Sequence, residues 1–116
     1  MGNGPEDPTG EVRKPVVESA VAKWSPEDIR LAAQWQLGVL KKEGYWHVKF
    51  EGTKLFLRKM FSSGETEETR EAEGYLSIND PRSLDALVKY YELLSVQSPV
   101  MVEHDLERAR KAVTAR

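Results

Sequence analysis

The residues best suited to chemistry lie between positions 45 and 61, in the stretch YWHVKFEGTKLFLRKMF. This stretch holds five aromatic rings and four lysine or arginine side chains around a single glycine. Aromatic side chains stack on nucleobases or fill the pockets of a partner protein, and arginine and lysine pair with phosphates or carboxylates. The stretch therefore predicts a surface that binds another macromolecule.

Signatures of catalysis are weak throughout the sequence. The absence of cysteine excludes disulfides, thiol catalysis and cysteine-ligated zinc. The two histidines, His47 and His104, are far apart and have no partners at the spacing of metal ligands. Residues 52–54, Gly-Thr-Lys, lack the upstream glycine of a phosphate-binding loop. We therefore expect no catalytic residue, no metal and no cofactor. We expect His47 to be an exposed strand residue and His104 to lie in the first turn of a helix.

Charge is distributed in two opposing blocks. Residues 41–59 carry six lysine or arginine side chains against two acids, and residues 64–73 carry five acids against Arg70. The blocks nearly cancel in a formal net charge of −2, which predicts no general attraction to nucleic acid or to an anionic membrane. Two interpretations stay open. The basic block is a binding face, or the acidic segment folds back beside it and pairs with it.

The first of three predicted helices has signals at both ends. Ser25 is a good N-cap, Pro26 suits the first helical position, and Asp28 sits where a capping-box acid would. Gly44 supplies the left-handed stop. The predicted apolar stripe consists of Ile29, Ala33, Leu37 and Leu40.

Two further helices are predicted in the C-terminal part of the chain. Asp80 caps the first of them and Pro81 opens it, and Ser98 and Pro99 repeat this kind of entry for the second. The apolar stripes are Leu84, Leu87, Val88, Tyr91 and Leu94 in one helix, and Val102, Leu106, Ala109 and Val113 in the other.

Between the helices, apolar and polar residues alternate with the period of a half-buried strand. If residues 51–52 form a two-residue turn, Val48 faces Leu55 and Trp46 faces Leu57, so that the apolar faces of a hairpin coincide. The outer face of this hairpin then carries the candidate binding residues Tyr45, His47, Lys49, Lys54, Phe56, Arg58 and Met60.

A third strand is expected at YLSI, residues 75–78. The order α-β-β-β-α-α favours an α+β domain in which a three-stranded antiparallel meander has its helices packed on one face. Residues 1–14, rich in Gly and Pro, are expected to be a disordered tail, and residues 15–116 a single domain. The expected core includes Trp46, Leu57, Leu37, Leu87 and Tyr91.

The functional expectation is a non-catalytic binding or adaptor module whose partner is a protein. The alternative is binding of RNA or DNA through the basic-aromatic hairpin 45–61. No apolar run approaches the roughly 18 residues that a membrane span requires, and the N-terminus lacks the apolar stretch of a signal peptide. We therefore expect a cytoplasmic protein without membrane contact, while the oligomeric state stays open.

Overall fold

The computed structural model describes residues 24–115, so that the predicted tail, residues 1–14, lies outside the described residues. Within this range the α+β class with a small antiparallel sheet is confirmed. The elements in chain order are α1 (Pro26–Lys42), β1 (His47–Glu51), β2 (Lys54–Arg58), α2 (Glu67–Ala72), β3 (Leu76–Ser77), α3 (Pro81–Gln97) and α4 (Pro99–Thr114).

The predicted capping box at the start of α1 is confirmed. The backbone N–H of Asp28 donates to the Ser25 hydroxyl at 3.0 Å, and the backbone N–H of Ser25 donates to the Asp28 carboxylate at 3.4 Å. At the other end Gly44 has a φ of 89°, in the left-handed region that glycine enters without penalty. The chain is thereby turned out of the helix and into β1.

The main core lies where α1, α3 and α4 meet. Leu87 and Tyr91 are fully buried there, as predicted, and Leu37 is half-buried against them, whereas the half-buried Leu57 packs against a second, smaller cluster of Leu40, Val48 and Ile78. The Tyr91 hydroxyl donates to Oδ2 of Asp105 at 2.8 Å. Burial, reinforced by this carboxylate, raises the pKa of Tyr91. The phenol therefore stays neutral and hydrogen-bonded inside the core.

The hairpin forms with a register two residues away from the predicted one. Val48 lies opposite Leu57 rather than Leu55, because Gly52 and Thr53 make the turn. Gly52 has a φ of 64°, and a glycine at the first turn position is the common solution for tight hairpins. Since side chains alternate with a period of two, a shift of two residues leaves the inner and outer faces of β1 and β2 as predicted.

Two topological expectations were wrong: the meander order of the strands, and the packing of all the helices on one face of the sheet. The strand order is β2-β1-β3, so β1 is central, whereas a meander would place β2 there. Val48 pairs with Leu76, because the chain between β2 and β3 crosses the outer face and returns beside β1. That crossing contains α2, whose Arg70 contacts His47 on the outer face. The helices α1, α3 and α4 surround the core, while α2 covers part of the opposite side of the sheet.

Candidate functional site: a buried arginine cluster beside a tryptophan pocket

The outer face of the hairpin brings four of the predicted binding residues together. His47 lies opposite Arg58, and Lys49 lies opposite Phe56. The Lys49 ammonium is 5.3 Å from the ring centroid of Phe56 and 5.2 Å from that of Tyr75. Cations over aromatic faces are attracted by the ring quadrupole. Much of the binding capacity of Lys49 is therefore used within the chain.

The other three predicted residues are dispersed. Tyr45 is half-buried and packs against the small core cluster around Leu40, with the Lys59 ammonium 5.1 Å from its ring. The expectation that Tyr45 faces outward was wrong, because it precedes β1 and strand alternation does not apply to it. Lys54 is exposed beside the turn, and Met60 is 74% exposed beyond the end of β2.

The expectation that His47 is exposed was also wrong, since it is only 2% exposed. Nη1 of Arg70 lies 2.8 Å from its Nδ1, and Oε2 of Glu67 lies 3.0 Å from its Nε2. A guanidinium has donors and no acceptor, so Nδ1 must accept and the ring proton must sit on Nε2. His47 therefore donates to Glu67 as a neutral imidazole of defined tautomer.

Arg70 is the centre of this cluster and is completely buried. Its Nη2 donates to the Met60 carbonyl oxygen and to Oε1 of Glu65, the latter at 2.9 Å. Its Cζ lies 4.3 Å from the centroid of the Phe61 ring. A buried charge is costly unless it is paired and hydrogen-bonded. The guanidinium thus ties the loop that follows β2 to His47 on β1.

Glu65 joins the two arginines of the cluster. It accepts from Arg58 at 3.0 Å, from Arg70 at 2.9 Å and from the backbone N–H of Ser62 at 2.9 Å. The Arg70 guanidinium, then the Ser62 N–H and the charge of Arg58, lower the pKa of Glu65 to about 2. The acidic segment has therefore folded back onto the basic hairpin, which was one of the two interpretations of the charge blocks.

An open pocket of about 190 Å³ lies beside the cluster. Trp46 forms part of its wall and is 48% exposed, so its predicted place in the core was wrong. The reason is that Trp46 precedes the first residue of β1, and its ring packs edge to face against Phe61 at 5.5 Å. The pocket is lined by Trp46, His47, Glu67, Ser77, Ile78 and Asn79.

A serine, a histidine and a glutamate adjoin this pocket, but their hydrogen bonds do not follow the order of a nucleophilic triad. Ser77 lies opposite His47 in the sheet, and its hydroxyl accepts from the Asn79 N–H at 3.3 Å. Both imidazole nitrogens already have partners, Arg70 and Glu67. A general base needs a free nitrogen within reach of the hydroxyl proton. In this arrangement His47 positions the Glu67 carboxylate and leaves Ser77 unactivated.

Several residues of this cluster were not identified from the sequence. Arg70 and Glu65 were considered only as members of the acidic block at residues 64–73, and Phe61 received no separate role. One signal pointed to them: Arg70 is the single cation among the five acids of residues 64–73. A second was the Thr66 N-cap, whose hydroxyl accepts from the Thr69 N–H and starts α2 inside that segment.

Comparisons of the chain with protein-family models, curated proteins and solved structures find no match. Within residues 24–115 no group of three or more histidine, aspartate or glutamate residues is arranged to hold a metal ion. No helix in the same range is both long and apolar enough to cross a membrane. Function must therefore be argued from the cluster and from the surface around it.

Proposed function

We propose that this chain is a protein-binding module, and that it binds its partner through the Trp46–Met60 surface, defined as Trp46, Met60 and Phe61. The observation that carries this proposal is the exposure of two large apolar side chains at one end of the hairpin, 48% for Trp46 and 74% for Met60. Aromatic anchors dominate the energetics of protein interfaces, and methionine adapts its shape to irregular partners.

The surface is held in place before any partner arrives. The centroid of the Phe61 ring lies 5.5 Å from the centroid of the Trp46 ring and 4.3 Å from Cζ of the Arg70 guanidinium. The carbonyl group of Met60 accepts a hydrogen bond from Arg70, which fixes the backbone at that position. Binding through a preorganised surface avoids the entropy cost of ordering a loop. Positioning this surface gives the buried Arg70 a role that accounts for the desolvation penalty of placing a charge inside a small domain.

A protein partner is favoured over nucleic acid by the state of the basic side chains. Arg58 is engaged by Glu65 at 3.0 Å, and Lys49 is engaged by Glu51 at 3.4 Å as well as by aromatic rings. Nucleic-acid affinity depends on cations that are free to neutralise phosphates. The acids folded against the hairpin reduce that capacity. A cytoplasmic setting for this role is part of the proposal, because a chain without cysteine needs no oxidising compartment.

Site-specific photo-crosslinking in native cells tests the proposal. A benzoylphenylalanine placed at Met60 should give a discrete protein adduct, and the same group at Lys89, exposed on α3, should not. The adduct at Met60 should disappear in a Trp46→Ser background that keeps the native amide spectrum. Equal adducts from both positions, adducts to nucleic acid alone, or no adduct at Met60 would each contradict it.

A further inference from the structure

The pocket beside Trp46 has a chemistry of its own. Its wall combines the aromatic Trp46, the acidic Glu67 and the polar Asn79, and His47, Ser77 and Ile78 complete it. Its lining includes no lysine or arginine. At about 190 Å³ it is smaller than the pockets that take drug-sized ligands, which run to several hundred cubic ångströms. Its size suits a single long side chain.

The carboxylate of Glu67 is oriented by a relay of two hydrogen bonds. Arg70 donates to Nδ1 of His47, and Nε2 of His47 donates to Oε2 of Glu67. Both supporting side chains are buried, whereas the Glu67 side chain remains 48% exposed. An ionised carboxylate has about four acceptor sites, and the imidazole uses one of them. The relay therefore holds a charged acceptor at the pocket with capacity for a further donor.

We infer that this pocket receives a lysine or arginine side chain of the protein partner, with Glu67 as its ion-pair partner and the indole of Trp46 as its aromatic wall. The inference rests on the proposed function and names what the surface recognises. Cationic groups are attracted both to indole rings and to carboxylates, and a charge-assisted hydrogen bond is roughly twice as strong as a neutral one. The Asn79 side-chain oxygen offers a further acceptor.

The charges around the pocket favour a cation over the other possible occupants. The positive charge of Arg70 lies behind His47 and is offset by Glu65 at 2.9 Å. An anionic side chain would face the Glu67 carboxylate directly. An apolar side chain would bury the remaining acceptor sites of Glu67 and the Asn79 side chain without giving them a hydrogen-bond donor, which carries the desolvation cost of each group.

Short peptides with a neutral isostere provide a direct test. Acetyl-Ala-Arg-Ala-amide is titrated against the intact chain, and acetyl-Ala-citrulline-Ala-amide serves as the uncharged match. The indole N–H resonance of Trp46 reports binding in NMR spectra. We expect a saturable shift with the arginine peptide and an affinity for the citrulline peptide that is at least ~10-fold lower, as loss of a charge-assisted bond implies.

Two variants assign the effect to the pocket. Glu67→Gln keeps an acceptor for His47 and removes the charge, so it should abolish the preference for arginine. Glu68→Gln makes the same change in charge one residue away on the exposed side of α2 and should retain the preference. Equal affinity for the two peptides, an unchanged preference in Glu67→Gln, or no shift of the Trp46 resonance would overturn the inference.

The two proposals fail in different ways. If the crosslinker at position 60 gives an adduct in the otherwise unchanged chain and an equally strong adduct in the Glu67→Gln background, the surface binds a protein and the pocket inference is wrong. If the arginine peptide binds as expected while Met60 yields no adduct, the pocket takes a cation and the proposed surface is wrong.

Discussion

Nη1 of Arg70 lies 2.8 Å from Nδ1 of His47, and both side chains are shielded from solvent. This contact joins α2 to the central strand β1 across 23 residues of chain. It also determines which histidine nitrogen carries the proton, because the guanidinium can only donate. Through it, a helix of six residues becomes the support for the loop that displays Met60.

Replacing the buried arginine should destabilise the fold strongly. Arg70→Met removes the partner of His47 and of the Met60 carbonyl, and we expect a loss of about 2–5 kcal/mol in the free energy of unfolding. Arg82→Met is the matched control, because Arg82 is 71% exposed and pairs only with Asp80 among the ion pairs of residues 24–115. That change should cost about 1 kcal/mol or less. Urea unfolding measures both, and equal losses would contradict the role given to Arg70.

The Glu65 cluster should make the protein sensitive to acid. Arg70 and its neighbours hold the pKa of Glu65 at about 2, below its usual value of 4.5. Since the pKa is lower in the folded state, ionised Glu65 stabilises the fold above the unfolded value, and this contribution is lost as the pH falls from about 4.5 towards 2. Wild-type stability should therefore decline more steeply over that interval than the stability of Glu65→Gln. Parallel declines in urea unfolding at stepped pH would show that Glu65 is not the group responsible.

The two histidines should differ in their importance for stability. His47→Ala leaves Arg70 and Glu67 without their shared partner, and we expect a cost of about 1–3 kcal/mol. His104→Ala removes a side chain that is 59% exposed on α4, and we expect a change within about 0.5 kcal/mol. Thermal unfolding of the two variants makes the comparison. A larger loss for His104 would mean that the cluster contributes little.

Substitutions of two leucines on α3 should differ in their effect on stability, because one leucine is buried and the other is exposed. Leu87 is completely buried in the main core, and Leu87→Ala should cost about 2–5 kcal/mol. Leu93 is 47% exposed, and Leu93→Ala should cost about 1 kcal/mol or less. The free energy of unfolding in urea measures both. A loss below about 1 kcal/mol for Leu87 would place the core on another face of α3.

Trp46 should matter for binding more than for stability. Because its ring is 48% exposed, Trp46→Ser should change the free energy of unfolding by about 1 kcal/mol or less. Its loss should weaken the partner complex by about 1–4 kcal/mol, the range of aromatic interface anchors. Lys54 is exposed at the turn and lies outside the Trp46–Met60 surface, so Lys54→Ala should mainly alter the association rate of the complex. A Trp46 variant that unfolds readily yet retains partner affinity when folded would refute the assignment.

The three long helices and the hairpin faces were determined by the sequence itself, whereas the short helix α2 was not predicted. The signals are local: Ser25 and Asp28 cap one helix within four residues, and Asp80 accepts a hydrogen bond from the backbone N–H of Arg82 at the start of another. Alternation across the hairpin is equally local, and this is why the inward direction of Val48 and Leu57 was predicted even though the turn was placed incorrectly. Interactions of this range depend on residue type and spacing alone.

The cluster and the pocket were decided only by the tertiary structure. Arg70 finds its partners 10 and 23 residues away, at Met60 and His47, and no periodicity in the sequence encodes such separations. An arginine among acids has the pattern of a solvated residue until the chain crosses the outer face and encloses it. Trp46 was assigned to the core because it continues the strand alternation, yet the strand begins one residue later. Long-range packing overrode the local pattern at both positions, because the energy of a buried charge depends on the groups that surround it.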